Sequence, residues 1–247
     1  MGLIGRLFRA ASILTQPGGA RALLTWRGFS VTSHNLLANI SRYCNAFHTV
    51  VDVGANVGQF TLAAARQFPT ARIYSFEPVP DVAARLHAHV RHNPRVRVFN
   101  CAVGSASGRL VFYRNKYTHV SSALRISAET DQPRYDMRGV TPLEVEVVRL
   151  DQALAGLPLD PPVLLKLDVQ GYEKEVLSGC AGLTDQIDYV VLECSFVRLY
   201  EGQPLFDELH AYVKAQGFEF VAPVGFNTGK HDAIIEMDAL YRRVGAS

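Results

Sequence analysis

Cysteine is scarce in this 247-residue chain, and the four present, Cys44, Cys101, Cys180 and Cys194, lie far apart with no Cys-x-x-Cys pair. Such spacing suggests neither a structural zinc site nor a disulfide framework, and it fits a reducing, cytoplasmic setting. Acidic residues are missing before Asp52, where the charged side chains are Arg6, Arg9, Arg21, Arg27 and Arg42. Long apolar runs are missing as well. Ala10 to Leu14 is interrupted by Thr15, Gln16, Pro17 and two glycines, too early for a membrane span or the core of a secretory signal. The formal net charge of +2 is too small to predict a nucleic-acid partner. The basic N-terminus is therefore a local feature. Leu3, Leu7 and the Ala10/Ala11 pair give Met1 to Leu14 a helical pattern, with three roles open: an element covering the domain edge, weak peripheral contact with an anionic membrane, or a transit peptide.

With 48% apolar and only 19% charged residues, the chain can bury one sizeable core. The expected division is a helical or irregular extension over 1–48 and one domain over 49–243. From Val50 onward, short apolar runs alternate with helical patterns, the signature of an α/β fold with a mostly parallel sheet and helices on both faces. Strands are expected at Thr49 to Val53, Arg72 to Phe76, Arg95 to Phe99, Val163 to Asp168 and Asp188 to Glu193. Helices are expected at Gln59 to Phe68, from about Asp81 to His92, around Tyr172 to Leu177 with Gly179 as a left-handed stop, and from Leu205 to Val213. Two β segments, Arg109 to Arg114 and Leu143 to Leu150, make 102–162 an elaborated insertion. Phe218 to Val221, a turn at Asn227-Thr228-Gly229 and Ala233 to Arg242 read as a closing antiparallel hairpin, with His231 and Asp232 as turn residues.

The stretch Val50 to Gln67 carries the most chemistry. Its turn, Val51-Asp52-Val53-Gly54-Ala55-Asn56-Val57-Gly58-Gln59, sits where a buried strand enters a helix, the position at which α/β sheets bind ligands. Gly54 and Gly58 permit a sharp turn and close backbone approach, the amides opening the helix can take a carboxylate, and Asp52 can meet an ammonium. A dinucleotide site requires a second glycine where Asn56 stands, which weakens the case for NAD. Glu77, 19 residues after Gly58, ends the second strand where a carboxylate accepts from ribose hydroxyls. Together these features predict a nucleoside ligand.

Taken in order, Val51 to Thr61, Phe76-Glu77-Pro78, Leu164-Leu165-Lys166-Leu167-Asp168-Val169-Gln170-Gly171-Tyr172-Glu173, Val176-Leu177-Ser178-Gly179, Leu199 to Phe206 and Asp238-Ala239-Leu240-Tyr241 resemble the FkbM family of methyltransferases. The resemblance runs from about Val50 to Arg243. It implies a class I methyltransferase Rossmann-like fold, with a seven-stranded sheet ending in the antiparallel hairpin. It also implies S-adenosylmethionine as methyl donor and a hydroxyl on a small molecule or sugar-containing product as acceptor. The cofactor would touch Asp52, Gly54, Ala55, Asn56, Gly58, Glu77, Pro78, Asn100 and Ala102.

Methyl transfer to oxygen needs the two reactants held in line and a proton removed from the acceptor. Asp168 is the first candidate for that proton. Lys166, two residues earlier on the same strand, points to the same face and would hold Asp168 ionised, lower the pKa of the acceptor hydroxyl, or only organise the strand end. Glu173 opens the next helix, and Glu193 ends the fifth strand. With Asp168 they form a possible carboxylate cluster that would bind Mg²⁺, the donor's amine or the acceptor. Ser121 and Ser122 are candidates for a lid over the acceptor. Two other classes share the βαβ unit: an NAD(P)-dependent oxidoreductase and a non-catalytic cofactor-binding module.

Overall fold

The computed structural model describes residues 30–132 and 139–245. The basic stretch Met1 to Leu14 lies outside them.

The sheet is built from strands β1 (Thr49–Val53), β2 (Arg72–Phe76), β3 (Val96–Phe99), β7 (Val163–Leu167), β8 (Tyr189–Ser195), β9 (Phe218–Thr228) and β10 (Ile234–Arg243). Their order is β3-β2-β1-β7-β8-β10-β9. The first five run parallel, whereas β10 is antiparallel to both β8 and β9. Every residue of β1 and of β7 is buried, which explains why both read as unbroken apolar runs rather than alternations. Between β1 and β7 the strand order reverses. The carboxyl ends there lie level, with Val53 paired to Phe76 on one side and Leu167 on the other, and the site forms at that crevice.

Helices cover both faces. On one, Val50, Ile73, Leu164 and Leu240 pack against α1 (Val31–Ile40) and α2 (Gln59–Gln67). On the other, Val51, Leu165, Val190 and Leu192 pack against α4 (Leu150–Ala153), α5 (Glu173–Ser178) and α6 (Phe206–Ala215), which follow α3 (Pro80–Val90) in the chain. Pro80 in the first turn of α3 and Asn93-Pro94 after it bound that helix as the sequence suggests. Residues 102–162 supply β4 (Ala102–Val103), β5 (Gly108–Arg114) and β6 (Thr141–Val148), a separate three-stranded sheet in the order β4-β6-β5. Its Phe112, Val145 and Val147 pack on Val79 and Val82, forming a wall over the crevice.

Three local expectations are corrected. Part of the supposed extension is core: α1 is capped by the Ser30 hydroxyl accepting from the Ser33 amide, and its Leu36, Leu37 and Ile40 are buried. Each such side chain contributes at most about 1.5–3 kcal/mol of burial. Gly179 does not end α5 in a left-handed conformation, since its φ is −75°. A Cβ there would lie 2.1 Å from the Gly104 carbonyl oxygen, so close packing is what requires glycine. Finally, Asn227 and Thr228 belong to β9, and the hairpin reverses through Gly229 and the single turn Lys230–Asp232.

Candidate active site

The loop after β1 is shaped by two left-handed glycines, Gly54 at φ +80° and Gly58 at φ +92°. A Cβ on Gly54 would fall 1.9 Å from the Asp168 backbone oxygen, so only glycine lets this turn pass beside the end of β7. Asn56 also adopts a positive φ of 50°, the conformation that a glycine in its place would take easily. The loop amides are largely committed within the protein. Gly54 and Ala55 donate to the Phe76 carbonyl, Asn56 to Glu77 Oε2 at 2.9 Å, Val57 to its neighbour Asn56 Oδ1, and Gly58 to the Ala55 carbonyl. A ligand carboxylate is therefore not met by these five amides. Glu77 is bound on both sides, because Oε1 accepts from the Val79 amide at 2.9 Å. Burial pushes its carboxyl up to about 7, against the pull of those two amides.

Asp52 is corrected from a rim residue to a buried one. It is fully enclosed, accepts from the Thr61 hydroxyl at 2.7 Å, and lies 3.1 Å from Lys166 Nζ. The same ammonium lies 3.5 Å from Asp168 Oδ2 and donates to the Gly54 carbonyl at 3.3 Å. Burial alone would make Lys166 easier to deprotonate, but Asp52 and Asp168 outweigh it and hold the charge above the ordinary lysine range. Asp52 thus balances Lys166 from below, while Asp168 keeps 44% of its side chain exposed above.

Two cavities meet over this centre. The first lies between the main sheet and the small one, with Phe76, Phe112, Ala102 and Val103 as apolar walls and Glu77 and Pro78 at the β2 end. The second, about 980 Å³, is polar and is lined by Lys166, Glu193, Asn227, Glu236 and Asp238, with Ser30 and Thr32 from the α1 end. Gly54, Asn56, His119, Asp168 and Gln170 line both. The first has the character a nucleoside requires: an apolar slot for a base and one buried carboxylate for ribose hydroxyls. Ala55 lines the second cavity, whereas Asp52, Gly58 and Asn100 line neither. Asn100 instead donates from Nδ2 to the Glu77 and Pro78 carbonyls, holding the strand end that presents Glu77.

Asp168 and Glu193 are brought together by a residue to which the sequence assigned no role. Gln170, left-handed at φ +57°, donates from Nε2 to Asp168 Oδ1 at 2.9 Å and to Glu193 Oε2 at 2.7 Å. Its Oε1 accepts from the Tyr200 hydroxyl at 2.7 Å. Glu193 Oε1 accepts from Asn227 Nδ2 at 2.8 Å. Burial, then Glu236, Asp168 and Asp238, raise the Glu193 carboxyl well above the carboxylate range, and burial with Asp168 lifts Asp238 to about 7. Glu173 turns away from both cavities and accepts from the Val169 and Gly171 amides at 3.1 and 3.3 Å, shaping the loop that carries Gln170. Burial lifts its carboxyl to about 7 as well. Asp168, Glu193 and Glu173 consequently do not converge. Among the described residues, no group of three or more His, Cys, Asp or Glu side chains is placed to hold a metal ion.

The supposed lid serines serve the backbone: Ser121 Oγ accepts from the Asn115 amide, and Ser122 donates to the Gln170 carbonyl at 2.7 Å. Ser121 also lines the first cavity, and the chain between β5 and β6 reaches the site through further side chains as well. Thr118 donates to Asn56 Oδ1 at 3.0 Å, and His119 lines both cavities. Asn227, Glu236, Asp238 and His119 escaped sequence reasoning. For Asp238 and Tyr200 the available signal was their place in the segments that resemble the family.

A reversed strand order at β1/β7, a terminal hairpin and a nucleoside-shaped crevice define a class I methyltransferase. The Methyltransferase FkbM domain model matches residues 52–220, and the chain belongs to that family. It is 30% identical to the 31-O-demethyl-FK506 methyltransferase FkbM of Streptomyces tacrolimicus, over 70% of this chain and 73% of that one. It is 29% identical to the 2-O-methyltransferase NoeI of Sinorhizobium fredii, over 62% of this chain and 66%, just under two thirds, of the relative. In fold it is similar to the magnesium protoporphyrin IX methyltransferase of Synechocystis PCC 6803, with a TM-score of 0.50, 11% identity, and coverage of 87% of this chain and 81% of the other. No helix among the described residues is long and apolar enough to cross a membrane.

Proposed function

We propose that the chain moves a methyl group from S-adenosylmethionine to a hydroxyl of a small-molecule or sugar-containing acceptor, with Asp168 as the group that takes the proton. The observation that carries this reading is the meeting of a nucleoside-shaped cavity and a polar one at Asp168. When bound, S-adenosylmethionine supplies an electrophilic methyl on a sulfonium. Glu77 would accept from its ribose hydroxyls, and Pro78, Ala102 and Phe112 would enclose its base. Asp168, 3.5 Å from the Lys166 ammonium and oriented by Gln170, would take the acceptor's proton as that oxygen bonds to the methyl carbon and the carbon–sulfonium bond breaks, with S-adenosylhomocysteine as the leaving group. Relatives named as a 2-O-methyltransferase and as a hexuronic acid methyltransferase of Haloferax volcanii, the latter 23% identical over 58% of this chain and 54% of its own, support a hydroxyl-bearing acceptor. Four unpaired cysteines, three of them buried, support a cytoplasmic setting.

The test combines calorimetry with a transfer assay. S-adenosylhomocysteine is expected to bind while NADH does not, and labelled donor mixed with purified protein and cell extract is expected to give a product carrying the label on oxygen. Binding of NADH alone supports an oxidoreductase. Binding of S-adenosylhomocysteine with no labelled product leaves a cofactor-binding module and removes the transferase reading.

A further inference from the structure

We propose that the acceptor site continues past the methylated unit into a second subsite between α1 and β9, which binds an adjoining neutral glycosyl unit. The proposal rests on the hydroxyl-acceptor reading above. The polar cavity at Asp168 does not close at its far side. It shares Thr32, Leu36 and Asp238 with a further cavity of about 710 Å³, which shares no residue with the nucleoside-shaped one. The trench therefore leads from Asp168 away from the donor. The further cavity thus continues the space at Asp168 toward what a ligand seated there is attached to.

The lining selects the class of unit. Thr32, Asn35 and Asn39 come from α1, and Pro223 and Phe226 from β9. Asn39 donates from Nδ2 to the Val224 carbonyl at 2.9 Å, which fixes its amide and leaves Oδ1 as an acceptor. Phe226 is 46% exposed, offering an aromatic surface at the same trench. Among the described residues no Lys or Arg lines the compartment, and its one acidic residue, Asp238, is shared with the polar cavity at Asp168. An acyl chain would strip water from two amides and a hydroxyl without replacing their hydrogen bonds. Hydroxyl and amide groups beside one aromatic ring match a neutral sugar, which has an apolar ring face and hydroxyls around its edge.

The decisive variants are Phe226→Ala and Phe226→Tyr, made in the full chain and supplied with labelled S-adenosylmethionine and the acceptor fraction of a cell extract. Acid hydrolysis of the labelled product is expected to release a methylated unit and at least one further sugar. Phe226→Ala should raise the apparent KM for the acceptor fraction by about 3- to 10-fold with kcat near that of the parent chain. Phe226→Tyr should restore the KM, and S-adenosylhomocysteine binding should be the same in all three proteins. A labelled product of a single unit, or a KM indifferent to Phe226→Ala, overturns the second subsite while leaving the transferase reading intact. A parent chain that labels nothing in the extract overturns that reading, and this subsite with it.

Discussion

The nucleoside-shaped cavity takes part of its lining from Val53 to Val103, around the carboxyl ends of β1, β2 and β3, and the rest from β5, the chain after it and the stretch after β7, among them Phe112, Thr118, Asp168 and Tyr172. The polar cavity draws on the same β1–α2 turn, β7 end and β5–β6 connection, and adds groups from α1, from β8 and from both arms of the hairpin. The strand directions account for the difference. β10 runs against β8, so its first residues, Glu236 and Asp238, pair with Ser195 and Glu193 at the rim where β8 ends. β9 then brings Asn227 opposite Glu236. Both cavities are thus assembled across the fold on a shared rim at the ends of β1 and β7, and they differ in the elements each adds, so perturbations should separate them.

The largest separation is expected at their junction. Asp168→Asn should lower methyl transfer roughly 10²- to 10⁴-fold with S-adenosylhomocysteine affinity nearly unchanged, measured by single-turnover transfer and calorimetry. An equal loss of both would assign Asp168 to donor binding. Beneath it, Asp52→Ala removes the buried partner of Lys166 and should cost about 3–5 kcal/mol in chemical denaturation, more than a rim residue could. Glu77→Gln should weaken S-adenosylhomocysteine about tenfold without affecting an isolated acceptor. In the parent chain that affinity should itself decline as pH falls through about 7, because hydroxyl donors favour the carboxylate and protonation competes with them.

The same raised carboxyls act on the fold. Glu77, Glu173 and Asp238 each titrate near 7, above their unfolded values, so the folded chain binds their protons more tightly. Their contribution to stability is complete below the ordinary carboxylate range and is lost as pH rises through about 7. The melting temperature should accordingly be lower at pH 8 than at pH 6, with a smaller difference in Glu173→Gln. The smallest effect is expected for Tyr200→Phe, which frees the Gln170 amide to turn. Transfer should decline a few-fold with donor affinity intact, and a full retention of rate would show that Asp168 needs no such bracing.

Much of the fold was legible because β1, β2 and β7 are short, largely apolar strands whose limits are set by adjoining glycines, prolines and charges. The donor loop was legible for the same reason, being a short motif with fixed spacing. Burial was not. Asp52 and Asp168 look alike in sequence, yet one is enclosed beneath a loop and the other stands at a cavity mouth. Asn227 read as a turn former because its neighbours are Thr228 and Gly229, but the pairing of β9 with β10 carries the strand through it. Glu173 had the right type and place for chemistry. Its hydrogen bonds to Val169 and Gly171 become visible only when the loop is folded.

The Gln170 amide joins two carboxylates, Asp168 at the open cavity and the partly buried Glu193, whose carboxyl is raised well above the carboxylate range. A lysine in that position would add a charge and an acid would compete for the proton, whereas an amide does neither across the physiological range. The spacing of that rim is thus set by a neutral strut, which holds the two carboxylates at a fixed separation whatever the charge on either.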